Sequence, residues 1–302
     1  MLRNILSGLS TNKAANQLAK KYGLKLGASR FVAGDDITDA IKQVQTLNDH
    51  GMTAMLNYLG EFVMTEEEAK DTTEKCLQTL DAIEEAKIDC NLTVKPTSLG
   101  LGMDKDLALS NFQKLLERAK AYGNFVRIEA EDYAHWPILL NVFKELCLKY
   151  NNVGTVVQAY LYRAEEDITE LNKYDANLRL VKGAYNESSD VAFPHKKDVD
   201  KNYEKIIKMH LLHGNYAGIA THDENIIRKV IDFTKKNAIS KDQFEFQMLY
   251  GIRPELQWDL ARDGYKMRVY VPYGTDWFGY FMRRLAERPE NVAFVLKNLY
   301  RK

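Results

Sequence analysis

Short runs of apolar and β-branched residues recur along this chain between longer charged stretches. They are MTAMLNYLG (52–60), CNLTVKPTS (90–98), FVRIEAED (125–132), GTVVQAYLY (154–162), LRLVKGAY (178–185), YAGIATHD (216–223), FEFQMLYG (244–251) and KMRVYVPYG (266–274). Each is of strand length. The stretches between them, such as EEEAKDTTEKCLQTLDAIEEA (66–86) and DLALSNFQKLLERAKAYG (106–123), read as helices. Strands alternating with helices imply parallel pairing through right-handed crossovers. Eight such units predict an α/β fold, a (βα)8 barrel, rather than a doubly wound sheet. No GxGxxG follows the first run, as a dinucleotide-binding sheet would require. The pattern divides the chain into an N-terminal helical arm, residues 1–50, and a barrel over 51–302, together one compact domain.

Most of the runs end on polar or charged residues: Glu61, Lys95, Glu129, Gln158, Lys182 and the pair Thr221–His222. In a barrel these ends converge on one face, where active sites are built. Arg179 and Lys182 stand in a run that should be buried, and a buried cation needs an anion. That anion is either a cofactor, which Gly183 would let approach the backbone, or a glutamate of a neighbouring strand. Alternation aims Glu129 and Glu131 the same way, with Asp132 starting a loop. Glu129 is then a base, an orienting group or a partner for Arg179 or Lys95, while Glu131 and Asp132 read as solvated. His222 reads as a catalyst or as a hydrogen-bonded structural residue. His210 and His213 have i, i+3 spacing but no apparent third ligand, so solvated helix histidines are expected there and no metal.

The last helix, within DWFGYFMRRLAERPEN (276–291), places Tyr280, Arg283, Arg284 and Glu287 on one face. Paired guanidiniums hold a carboxylate bidentately. A carboxylate guest is one reading, and a surface helix with Arg–Glu pairs is the other.

Composition narrows the classes. Lys and Arg number 42, Asp and Glu 42, so the formal net charge is zero, which argues against a general nucleic-acid binder. Three cysteines, Cys76, Cys90 and Cys147, form no CxxC pair and fit no closed disulfide framework. A reducing, cytoplasmic setting is expected, with peripheral contact at the inner face of a membrane left open. No run of about 18 apolar residues would span a bilayer, and the N-terminus lacks the apolar core of a signal peptide.

Together, LGE, TVVQAY, RLVKGAY, ATHD, FEFQMLYG, VYVPYG and YFMRRLAE resemble, in order, the bacterial monofunctional proline dehydrogenases, from Glu61 to the C-terminus. These are FAD flavoproteins related to the dehydrogenase domain of bifunctional proline-utilisation enzymes. The resemblance implies a distorted (βα)8 barrel whose last helix lies over the strand C-termini. It implies oxidation of L-proline to Δ1-pyrroline-5-carboxylate, by hydride transfer from proline C5 to flavin N5. The electrons pass to a quinone, and the reaction begins proline catabolism to glutamate. On this resemblance Arg283, Arg284 and Lys95 bind the proline carboxylate. Tyr270, Tyr280 and Leu249 wall the pocket. Glu287 orients the arginines or sits over the substrate ring, and Glu61 pairs with Arg283 as a gate. Arg179 approaches flavin N5. Lys182, Gly183, Ala184, Gln158, Ala130, Thr221 and His222 contact FAD. Glu129 stands where the family often has Asp, one methylene shorter, so its catalytic role is open. Two further readings remain: another flavin barrel, such as a folate-linked reductase, or a catalytically silent scaffold barrel.

Overall fold

All eight expected runs form strands in the computed structural model, which describes residues 28–60 and 62–287. They are β1 (Thr53–Tyr58), β2 (Cys90–Val94), β3 (Val126–Ile128), β4 (Val153–Gln158), β5 (Asn177–Val181), β6 (Tyr216–Ala220), β7 (Phe244–Leu249) and β8 (Met267–Tyr273). Each pairs in parallel with the next, and β8 pairs with β1, so the barrel closes in chain order. The helices are α1 (Ile37–Asp49), α2 (Glu66–Ala86), α3 (Lys105–Ala121), α4 (Trp136–Cys147), α5 (Ala164–Leu171), α6 (Lys196–His213), α7 (Glu224–Lys236), α8 (Pro254–Arg262) and α9 (Trp277–Glu287). Local chemistry sets their ends. A capping box between Thr65 and Glu68 opens α2, whose first turn holds Glu66, Glu67 and Glu68 against the positive end of the helix dipole. Lys87 in the left-handed region closes it.

The helix after β8 does not cover the β8–β1 seam. That place is taken by α1, which contacts both strands and sends Ala40 and Val44 into the same core as the barrel. The helix nearest the expected boundary at residue 50 therefore shares the barrel's core; residues 1–27 lie outside the described residues. Freed from the seam, α9 is seated by a second apolar cluster. Trp277, Phe281 and Met282 meet Phe31, Val32, Leu59 and Ile252. This seating puts its Tyr280, Arg283 and Arg284 among residues from the strand ends.

Between sheet and helices the core is apolar, but charged and amide side chains run through the strands. Arg127, Glu245 and Gln247 are almost fully buried. Arg268 Nε donates to Glu245 at 2.8 Å, and the Arg127 guanidinium bonds the carbonyls of Thr155 and Asn177. Such side chains need room. A Cβ at position 154 would collide with the Arg127 guanidinium and the Asn177 carbonyl, and one at 218 would lie 2.5 Å from Gln247 Nε2. Gly154 and Gly218 keep that space.

His210 corrects one expectation. It is 1% exposed, not solvated: Nε2 donates to the Tyr216 carbonyl at 3.0 Å and Nδ1 meets the Asn172 amide at 2.8 Å. His213 is exposed, as expected. Among the described residues no group of three or more His, Cys, Asp and Glu could hold a metal. Burial keeps the His210 pKa down at about 4, against 6.5 for a free side chain. Between those values the unfolded chain takes up a proton that the folded chain refuses, so stability falls with falling pH. The loss is about 3 kcal/mol over the whole window. Burial alone would raise the Glu245 carboxyl, but Arg268, with bonds from Gln247 and Tyr216, pulls it below its usual 4.5. Its contribution is lost only below that value. His210→Gln should flatten the change in urea midpoint between pH 7 and pH 5 and leave the drop below pH 4.5 in place. An equally steep fall above pH 5 in the variant would contradict this assignment.

Candidate active site

The C-terminal ends of the strands surround a cavity of about 480 Å³, within the range of small-molecule sites. Fifteen of the residues expected at a site line it: Lys95, Glu129, Ala130, Gln158, Arg179, Lys182, Gly183, Ala184, Thr221, His222, Leu249, Tyr270, Tyr280, Arg283 and Arg284. Glu61 lies outside the described residues, as does the side chain of Glu287.

The strands position these groups in two ways. Some lie inside the ladders: Gln158 ends β4, Leu249 ends β7, and Arg179 and Tyr270 stand within β5 and β8. Others follow directly where a strand stops, while Tyr280, Arg283 and Arg284 are brought in by α9. β3 pairs only over Val126–Ile128, so Glu129 and Ala130 are already past it. Glu129 and Glu131 therefore have separate fates. Glu129 accepts from the Thr93 hydroxyl at 2.7 Å and pairs with Arg179 Nη1 at 3.1 Å. Glu131 turns away and accepts from the Thr97 amide and hydroxyl, both at 2.8 Å. It is 2% exposed, which corrects the solvated reading; Thr97 is the local reason. Asp132 holds His135 at 2.5 Å.

Arg179 has its anion inside the protein. Besides Glu129, its Nε donates to Gln247 Oε1 at 2.8 Å, and its guanidinium lies 5.3 Å from the centre of the Tyr270 ring. The ion pair of Arg179 is thus internal, and the group also faces the cavity. Lys182 pairs with Asp200 at 2.5 Å and lies 3.7 Å from Asp223. His222 Nε2 accepts from the Leu249 amide at 3.0 Å, so the ring fastens the end of β6 to that of β7. Gly183 has φ +106, and a Cβ there would enter the Tyr160 ring. Its lack of a side chain is thus demanded by the protein itself. On the far wall the Arg284 guanidinium lies 5.1 Å from the centre of the Tyr280 ring. Burial, and then the Glu129 charge, holds the Tyr270 phenol well above its ordinary pKa, so it stays neutral.

The charge balance sets the chemistry. Among the described residues, six cations line the cavity, Lys95, Arg179, Lys182, Lys196, Arg283 and Arg284, against two carboxylates, Glu129 and Asp223. A protein of zero net charge has gathered a cationic surplus in one concavity, which attracts anionic guests. Sequence reasoning missed Gln247, Lys196 and Asp223. Gln247 carried a readable signal: in β7 it alternates with Phe246 and Met248, where only a polar interior would accept it. Lys196 and Asp223 carried none, because helix starts are ordinarily charged.

A closed parallel barrel with such a cavity at its C-terminal face defines an α/β-barrel enzyme whose cavity lining suits an anionic small molecule. The chain belongs to the proline dehydrogenase family, whose model matches residues 40–297. It is 50% identical over 302 residues to Proline dehydrogenase 1 of Bacillus subtilis (strain 168), covering 100% of both chains. It is 41% identical to Proline dehydrogenase of Deinococcus radiodurans, covering 99% of this chain and 98% of that one. Among solved structures it is similar to proline utilization A (PutA) from Bdellovibrio bacteriovorus inactivated by N-propargylglycine. That likeness has a TM-score of 0.80 at 25% identity, covering 86% of this chain and 32% of the larger one.

Two glycines separate backbone strain from crowding. Gly51 has φ +73 and open space where a Cβ would stand, whereas Gly183 has both a positive φ and the Tyr160 ring. Gly183→Ala should lower the unfolding free energy by about 1–3 kcal/mol more than Gly51→Ala, the usual range for overpacking. Equal losses in urea titrations would mean that Tyr160 yields freely.

Proposed function

We propose that this cavity oxidises L-proline to Δ1-pyrroline-5-carboxylate using FAD, with a quinone as the final electron acceptor. The observation that carries the reading is the cationic cavity, with an arginine pair on one wall and Arg179 and Lys182 on another. The lining fits FAD chemically. Lys182 and Lys196 suit its pyrophosphate; Gln158, Thr221 and His222 offer polar groups; Ala130, Gly183 and Ala184 leave room for its rings. FAD, when bound, supplies the two-electron acceptor that no side chain can provide.

The remaining work belongs to the chain. Arg283 and Arg284, with Lys95, hold the carboxylate, which does not react, and so spend its binding energy on orientation. Tyr270, Tyr280 and Leu249 exclude water around the ring. Arg179, fixed by Glu129, presents a positive charge where negative charge develops on the acceptor. Glu129, bonded to both Thr93 and Arg179, serves as an orienting anion. Glu61 as a gate and Glu287 beside the substrate belong to the same reading. A quinone acceptor implies peripheral contact with a membrane from the cytoplasmic side. Among the described residues no helix is long and apolar enough to cross one.

The purified protein should be yellow and should bleach when L-proline is added without oxygen. A flavin band that persists would overturn the substrate; no band after FAD is supplied would overturn the cofactor. Arg284→Met should raise KM for proline about 10- to 100-fold with the flavin still bound, the size of a lost charge-assisted contact. An unchanged KM would remove the carboxylate role.

A further inference from the structure

Inside the barrel a chain of hydrogen bonds runs from buried charges up to the cavity. The Tyr216 hydroxyl donates to Glu245 Oε2 at 3.0 Å, and Arg268 Nε donates to Oε1 at 2.8 Å. The same Oε1 accepts from Gln247 Nε2 at 2.6 Å. Gln247 Oε1 in turn accepts from Arg179 Nε at 2.8 Å. The order of atoms is forced. A guanidinium only donates and a carboxylate only accepts, so the amide between them has one possible orientation. Gln247 is 2% exposed, and Gly218 beside it leaves the space it occupies.

Arg179 is thus held at two points, by Glu129 through Nη1 and by Gln247 through Nε. A single ion pair would let the planar group pivot. The second bond removes that freedom and fixes the plane of the group. We propose that Gln247, oriented by Glu245, is a positioning residue that holds the Arg179 guanidinium in register with the reacting cofactor. The proposal deepens the flavin reading above and rests on it. Gln247 lines the cavity, but its part here is played through the geometry of Arg179, and Glu245 acts one bond further back.

The two members of the chain have separable roles. Gln247→Leu removes the acceptor and leaves Arg179 to Glu129 alone. Glu245→Gln keeps an oxygen for Arg268 and Gln247 and lets the Tyr216 hydroxyl turn to accept, so it removes charge without removing shape. Loss of the grip should make reduction of the bound flavin harder. Loss of a buried negative charge should make it easier.

The test is the midpoint potential of the bound flavin in wild type and both variants, together with proline kinetics. Gln247→Leu should reduce kcat about 10-fold and lower the potential by about 30 mV, which is a tenfold change for a two-electron couple. KM should stay within about twofold, because the carboxylate contacts lie on α9 and at Lys95, apart from Gln247. Glu245→Gln should shift the potential in the opposite direction. Merely structural damage would move both variants the same way, and that outcome overturns the proposal. So does an unchanged potential in both. If Gln247→Leu fails to fold, the sign of the Glu245→Gln shift decides. A wild-type protein that shows no flavin band after FAD is supplied, or whose band proline does not bleach, defeats the proposed function itself; one that bleaches while both variants match it defeats only the chain.

Discussion

The buried ion pair between Arg179 and Glu129 ties the barrel to its cavity. A pair so enclosed gains little net stability, because removing two charges from water costs about as much as their attraction returns. What it gives is geometry: β3 and β5 are not neighbours, yet their ends are fixed relative to one another. Leaving either charge alone would be far more costly than keeping both. The interior must therefore stay polar around them. Thr93, Gln247 and Tyr270 surround the pair, and below them Glu245 holds Arg268. Three arginines, Arg127, Arg179 and Arg268, stand against two glutamates in this column. Burial above all, with a smaller push from Arg179 and Arg268, leaves Arg127 with its pKa lowered to about 10, despite the two glutamates. The whole column leans positive, in the same sense as the cavity above it.

A polar column dictates small residues on the strands beside it. Gly154 and Gly218 would be poor strand residues in an apolar barrel, since each weakens its strand and packs nothing. Here they are the space into which Arg127 and Gln247 extend. The apolar work is moved outwards, to the layer between strands and helices, and to the cluster that seats α9. Because α1 closes the β8–β1 seam, α9 is free to carry its arginine pair over the strand ends.

This arrangement explains what could be read in the chain. The eight strands were legible because burial on both faces leaves unbroken β-branched and apolar runs, and charged helices separate them. The polar residues at the strand ends were legible because such groups are out of place there unless they converge. Side-chain direction was not legible beyond the last ladder bond. Glu129 and Glu131 are two apart, yet β3 stops at Ile128, so alternation does not govern them. Thr97, on the loop after β2, decides the fate of Glu131, and no local pattern announces it. His210 was misread for a related reason. One partner, Asn172, lies thirty-eight positions back, and the other, the Tyr216 carbonyl, lies past the end of its own helix at the start of β6, so the helix pattern shows neither. Gln247 was visible as an odd polar residue, but its meaning depends on Arg179, sixty-eight positions away.

Net charge conceals the same arrangement. The chain balances its 42 basic and 42 acidic residues, and from that total no anion-binding site would be guessed. The charges are sorted in space. Carboxylates open helices on the outside, as Glu66, Glu67 and Glu68 do in α2 and Glu165 and Glu166 do in α5, where helix dipoles favour them. Cations from β5, from the residues just past β2 and β5, and from α6 and α9 gather inside the rim. Screening in water weakens the outer charges, while those in the concavity are screened far less. The field felt by a guest is therefore that of the lining, not that of the molecule. Neutrality overall and strong attraction at one point follow from where the barrel ends its strands.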